Sequence, residues 1–190
     1  MVTLRMLSAT LIATAMIAGF AAPRLGAEDK ASAIAAVRPV HVMIANPLVR
    51  QRVELAIQGA SQRLGGLECQ KLFTEFQDGE GQTLQTRLDA IHLTGAEFLT
   101  WVRFTEGEGL PLCRRTTHVA AFTQPGSRVI QMCGGVFARQ SSADSQAGEV
   151  LIIHELLHSL GLHENPPSSA DISRRVLERC GAQPVQRKPI

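Results

Sequence analysis

Residues 148–164 read GEVLIIHELLHSLGLHE, and this stretch decides the fold. Up to Leu160 it is apolar on most sides of a helical projection, which predicts a buried helix from about Gln146 to Leu160. Gly161 then ends the helix, since glycine is a common residue just past a helix C-terminus. The apolar positions are Val150, Leu151, Ile152, Ile153, Leu156, Leu157 and Leu160.

Two histidines and a glutamate lie within the predicted helix, in the order His154-Glu155-x-x-His158. Positions i and i+4 share one face of a helix, so both imidazoles can reach one metal ion at about 2.0–2.1 Å. Glu155 lies roughly 100° around the helix. From there it can take a proton from a metal-activated water instead of binding the ion. The alternative is a pair of core histidines with other partners beside an incidental glutamate, but two unpartnered buried histidines would be costly.

The longer pattern, His154-Glu155-x-x-His158-x-x-Gly161, resembles the motif HExxHxxGxxH of the metzincin branch of the zincins. The resemblance implies a minimal zincin-like domain and a zinc metallopeptidase with one Zn²⁺ per chain. His154 and His158 would be metal ligands, and Glu155 the catalytic general base. In that family the glycine turns the chain so that the residue three positions later reaches the metal. That residue is Glu164 here, and a carboxylate is an acceptable zinc ligand.

Two other residues are alternatives for the third metal ligand. His163 is a neighbouring histidine, but it comes one position too early in the motif. Glu178, on a predicted later helix, resembles in its spacing the acidic ligand of the thermolysin-like gluzincins. The other interpretation of Glu178 is a solvated residue beside Arg174 and Arg175.

The chain departs from the metzincin pattern in two respects. Metzincins have a methionine-containing turn after the third ligand, whereas the last methionine of this chain is Met132. Many zincins use a tyrosine or histidine near the metal, and this chain has no tyrosine. His118 is a candidate for oxyanion support, with an ordinary surface-strand histidine as the alternative. By analogy with zincins, the strand from Arg128 to Cys133 would pair with an extended peptide substrate.

The N-terminal segment has the layout of a secretory signal peptide. Arg5 precedes an apolar run from Leu7 to Ala22, and small residues follow as far as Ala27. This run is short for a membrane span, which needs about 20 residues. Its length favours a cleaved signal over a retained anchor, and we therefore expect a secreted or periplasmic protein without a stable membrane anchor.

The predicted domain organisation follows from that cleavage. Residues 1–27 form the signal peptide and residues 28–190 form a single domain, with a loose leader over 28–38 and a frayed tail over 183–190. Loss of two arginines with the signal lowers the basic count from 19 to 17, which equals the 17 acidic residues. A near-neutral chain gives no support for nucleic acid or an anionic membrane as a partner. The expected partner is a peptide or protein substrate.

Four cysteines in an exported chain indicate two disulfides. Cys113 and Cys133 flank one predicted hairpin, which favours their pairing and leaves Cys69 with Cys180. A cysteine-based metal site is the alternative, but no CxxC pair is present.

The other patterns predict an α+β domain with a small mixed sheet beside two to three principal helices. Asn46 and Pro47 begin a helix that ends at Gly65-Gly66. The remaining predictions are strands over Val40–Ile44 and Cys69–Phe76, a hairpin of Thr116–Thr123 and Arg128–Cys133 around Gln124–Ser127, a polar linker over Ser141–Ser145, and a last helix from Ser168 to about Cys180.

The function expected is hydrolysis of peptide bonds by an exported zinc enzyme. The alternative is a non-catalytic, disulfide-stapled binding protein with a structural metal or a degenerate site.

Overall fold

A four-stranded mixed sheet forms one layer of the fold. The computed structural model describes residues 40–181 of the chain. The strands are β1 (His41–Met43), β2 (Arg103–Glu106), β3 (Ala121–Phe122) and β4 (Val129–Met132), in the spatial order β1-β2-β4-β3. Strands β1, β2 and β4 run parallel, and β3 pairs antiparallel with β4.

The helices form the rest of the domain. The four longer helices are α1 (Pro47–Leu64), α7 (Gly134–Ala143), α8 (Ser145–Ser159) and α9 (Ser169–Cys180). The short ones are α2 (Leu67–Gln70), α3 (Leu72–Glu75), α4 (Leu84–Ala90), α5 (Gly95–Leu99) and α6 (Pro111–Arg115). Helix α8 packs against α1, α7 and α9. The predicted α+β class with a small mixed sheet is therefore confirmed.

The central helix begins and ends where its sequence indicates. The Asp144 carboxylate accepts a hydrogen bond from the Gln146 N–H at the N-terminus of α8. The helix is buried over most of its length, because both its apolar side chains and its two histidines face protein. Gly161 has a φ of 110°, a conformation that glycine adopts without strain. A Cβ at this position would lie 3.1 Å from the Cβ of Asp78, so a larger residue would also be crowded.

Helices α1 and α9 carry the caps that their sequences predict. The side chain of Asn46 accepts hydrogen bonds from the Leu48 and Val49 N–H groups, and Pro47 is the first residue of α1. The Ser168 hydroxyl accepts from the Asp171 N–H at the start of α9. Both helix starts were therefore predictable from local sequence.

The predicted hairpin is present, with shorter strands than expected. Gly126, in the turn between β3 and β4, has a φ of 79°. Its N–H donates to the carbonyl of His158 at 2.9 Å, which fastens the turn to the end of α8. Strand β4 has a neighbour on each side. The expectation that Arg128–Cys133 pairs with a substrate is therefore wrong. The two edge strands are β1 and β3, and β3 is the one next to β4.

Two other predictions are wrong in ways that helical geometry explains. The segment Cys69–Phe76, predicted as a strand, covers the end of α2 and all of α3. Its apolar residues recur at 69, 72, 73 and 76, the spacing of one helical face. The predicted linker Ser141–Ser145 lies at the end of α7 and the beginning of α8. Ser141 and Ser142 lie in the last turn of α7, where their hydroxyls donate to carbonyls four residues earlier.

Both predicted disulfides are present. Cys69 and Cys180 join α2 to the end of α9, with a sulfur–sulfur distance of 2.03 Å. Cys113 and Cys133 join α6 to the residue that precedes α7. No cysteine is left free.

Within residues 40–181, no helix has both the length and the apolar character needed to cross a bilayer. The predicted signal peptide over 1–27, the leader over 28–38 and the tail over 183–190 lie outside the described residues.

Candidate metal centre

Helix α8 brings two imidazoles together inside the protein. His154 and His158 are separated by one helical turn, and their Nε2 atoms are 3.1 Å apart. The ring centroids lie 4.9 Å apart with the rings inclined at 64°. Only 3% of His154 and 6% of His158 is exposed. The i, i+4 spacing of the sequence therefore produces the pair of facing nitrogens that it predicts.

The turn after α8 brings a carboxylate to the same point. Glu164 Oε1 lies 3.5 Å from His154 Nε2 and 3.3 Å from His158 Nε2. Ligands that surround a zinc ion tetrahedrally at 2.0–2.1 Å are about 3.3–3.4 Å from one another. The three donor atoms of this cluster therefore have the separations of three corners of such a tetrahedron.

The hydrogen bonds of the two histidines bear on which nitrogens are protonated. His158 Nδ1 lies 2.7 Å from the carbonyl oxygen of Leu162. A carbonyl only accepts, so Nδ1 carries the proton and Nε2 of a neutral His158 presents a lone pair. His154 Nδ1 lies 2.9 Å from the hydroxyl of Ser173 on α9. When Ser173 accepts, two lone pairs and a carboxylate converge, and a cation satisfies all three.

The alternative third ligands lie elsewhere. His163 is exposed and packs over Gly79, where an added Cβ would lie 2.7 Å from its Nε2. Glu178 is exposed and accepts a hydrogen bond from Arg174. Among the residues that the structure describes, the group able to hold a metal consists of His154, His158 and Glu164. His118 is exposed and is not part of this group.

The carboxyl group of Glu155 is buried next to the cluster. Only 4% of Glu155 is exposed, and its Oε2 has no hydrogen-bond partner within residues 40–181. Burial raises the pKa of Glu155 most, and the charge of Glu164 raises it further. The backbone N–H of Thr123 lowers it, and the resulting pKa is about 8. Thr123 directly follows β3. A cation held by the neighbouring ligands would favour the ionised carboxylate.

Burial also affects His154. Desolvation, followed by the proximity of His158, lowers the pKa of His154 to about 4, although Glu164 acts in the opposite direction. The imidazole is therefore neutral at pH 7, and the neutral form is the one that binds metals.

No family model, curated protein or solved structure matches this chain. Function is therefore inferred from the chemistry of the side chains themselves.

A loop from the first half of the chain supports the turn that carries Glu164. Asp78 forms a backbone bridge with Leu162, the residue whose carbonyl faces His158. One oxygen of Asp78 accepts from the N–H groups of Glu80 and Gln82, and the other accepts from Arg87 at 2.6 Å. The residues Asp78-Gly79-Glu80-Gly81 are typical of a turn. No local pattern indicates the contact with Leu162, because it joins segments that are far apart in the chain.

Asp78→Asn is expected to destabilise the fold at neutral pH, because it removes the charge that Arg87 faces. Burial alone would raise the pKa of Asp78, but hydrogen bonds from Arg87 and from the Gln82 and Glu80 N–H groups outweigh it, and the pKa is lowered. A carboxyl with a depressed folded pKa stabilises the fold above its unfolded pKa of about 4. That contribution is lost as the pH falls through the folded pKa.

Urea unfolding of the metal-free wild type and Asp78→Asn measures this effect. The free energies of unfolding should differ at pH 7, and the difference should shrink as the pH falls from the unfolded pKa of about 4 through the lower pKa of the folded state. A difference that stays the same over this pH range would contradict the assignment.

Proposed function

We propose that the chain is an exported zinc-dependent peptidase. The observation that supports this function best is the convergence of His154, His158 and Glu164 beside the buried carboxyl group of Glu155. Three protein ligands leave one position of a four-coordinate zinc ion open, as in catalytic sites. Two disulfides fit an oxidising, extracellular compartment.

Each residue of the site has a distinct role in this proposal. His154, His158 and Glu164 hold the ion, which when bound lowers the pKa of water and polarises a carbonyl group. Glu155 accepts a proton from the attacking water. It later gives that proton to the leaving amine as the carbon–nitrogen bond breaks. Its burial keeps bulk water away from this transfer.

The substrate in this proposal is an extended segment of polypeptide. Strand β3 is the sheet edge on the side of β4, and the next residue, Thr123, donates its N–H to Glu155. A peptide that pairs with β3 by strand addition would therefore run close to the catalytic carboxylate. This assignment replaces the strand Arg128–Cys133, whose two sides are already paired.

Zinc content of ligand variants tests the metal centre. Purified wild type should retain about one zinc ion per chain, as the three-ligand geometry requires. His154→Ala, His158→Ala and Glu164→Ala should each lose most of it on dialysis against a weak chelator. His163→Ala and Glu178→Ala are the matched controls and should retain it. Loss of zinc from a control with retention in Glu164→Ala would contradict the assigned third ligand.

Cleavage of a mixed peptide library by the zinc-loaded wild type tests the reaction. New amino termini that require zinc are expected. If zinc is bound stoichiometrically and no peptide is cut, the proposed peptidase activity is wrong and the binding-protein alternative is favoured.

A further inference from the structure

Helix α9 presents one polar residue to the metal helix. The inward face of α9 includes Ile172, Val176 and Cys180, which are fully buried. Ser173 is next to Ile172 and half-buried, and its hydroxyl lies 2.9 Å from His154 Nδ1. Its position against α8 makes it a direct partner of a metal-ligating side chain.

The two histidines differ in the partners of their Nδ1 atoms. The partner of His158 is the carbonyl of Leu162, which fixes the proton on Nδ1. The partner of His154 is a hydroxyl, which can either donate or accept. The hydrogen bond of His154 is therefore compatible with both neutral tautomers of its ring.

Each tautomer suits one state of the site. Without an ion, His154 can donate from Nε2 to Nε2 of His158, 3.1 Å away, while Ser173 donates to Nδ1. With an ion, His154 Nε2 is a ligand, and its proton is on Nδ1, from which it donates to Ser173. Passing from the empty to the loaded site releases the Nε2 proton of His154 to solvent and adds a proton from solvent to Nδ1. The hydroxyl hydrogen of Ser173 then turns away from the ring, so that its oxygen accepts.

We propose that Ser173 is a positioning residue of the metal centre, which orients His154 and satisfies its Nδ1 in both the empty and the loaded site. The proposal rests on the metal centre proposed above. Partners of this kind raise the basicity of a ligating imidazole and restrict its orientation. Helix α9 is accordingly part of the metal site, although it contributes no ligand.

Zinc affinity, measured by competition with a chromophoric chelator, tests this role. Ser173→Ala should weaken zinc binding by about 10- to 100-fold, the usual loss for such partners. Ser173→Thr keeps the hydroxyl and should bind zinc within about threefold of the wild type on the same argument. Ser169→Ala, at an exposed position of the same helix, is the matched control and should bind as the wild type. Equal affinity of Ser173→Ala and wild type would overturn the proposal.

A second measurement uses the wild type alone, so it does not depend on the folding of a variant. Long-range ¹⁵N–¹H correlation spectra should assign the His154 proton to Nδ1 in the zinc-loaded protein and to Nε2 in the metal-free protein. A proton on Nδ1 in both states would overturn the proposed exchange. If the wild type binds no zinc, the proposed metal centre itself is wrong. If the wild type binds zinc and Ser173→Ala binds it with the same affinity, the metal centre stands and the proposed role of Ser173 is wrong.

Discussion

Glu155→Gln is expected to lower the rate of peptide hydrolysis by about 10²- to 10⁴-fold, the usual contribution of a general base. Glutamine has the same shape but does not accept a proton at neutral pH. Zinc content should remain near that of the wild type, because Glu155 is not among the three residues of the metal cluster. The fold should also persist, since glutamine has the same shape and is neutral, and burial disfavours a charge at this position.

Steady-state cleavage of a peptide found in the library screen provides the measurement, with zinc quantified on the same samples. Glu178→Gln is the control, because that carboxylate is exposed and bound to Arg174 on the surface. Hydrolysis by Glu155→Gln at the wild-type rate would exclude Glu155 as the base. Loss of zinc in the same variant would instead indicate a ligand role.

Removal of the disulfide between Cys69 and Cys180 is expected to lower the free energy of unfolding by about 4–5 kcal/mol. The bond joins residues 111 positions apart, and a cross-link over a long loop restricts the unfolded chain strongly. Both sulfur-bearing residues are fully buried. Cys69→Ala/Cys180→Ala is the appropriate double variant, because it leaves no free thiol.

The other disulfide provides the comparison. Cys113 and Cys133 are 20 residues apart, and their replacement by alanine should cost about 3 kcal/mol. Urea unfolding of zinc-free protein measures both, since bound metal would add its own stabilisation. A larger loss from the short loop than from the long one would contradict the loop-entropy explanation.

The parts of the fold that sequence predicted are those determined by neighbouring residues. Asn46 and Ser168 cap their own helices, and the turn at Gly126 sets its own hairpin. The apolar content of Cys69–Phe76 is typical of a strand, but its apolar residues have the spacing of a helical face, and the segment is helical. Helix α7 was not predicted, because it begins with Gly134 and Gly135, and glycine has a low helix propensity.

The candidate site also combines residues whose arrangement the local sequence predicts with groups that only the folded chain brings together. His154, Glu155 and His158 lie within one helical turn, so their arrangement follows from helix geometry. The groups around them come from other segments: Asp78 from a distant loop and Ser173 from α9. Such contacts arise only when the chain is folded, and no local spacing indicates them.

The shortness of β3 has a consequence for selectivity. A two-residue edge offers few main-chain hydrogen bonds to a docking strand, and each has a net value of only about 1 kcal/mol. Recognition of backbone alone would therefore be weak, both for foreign polypeptides and for other copies of this chain. For the proposed peptidase, discrimination among cleavage sequences would therefore come from side chains that flank the scissile bond.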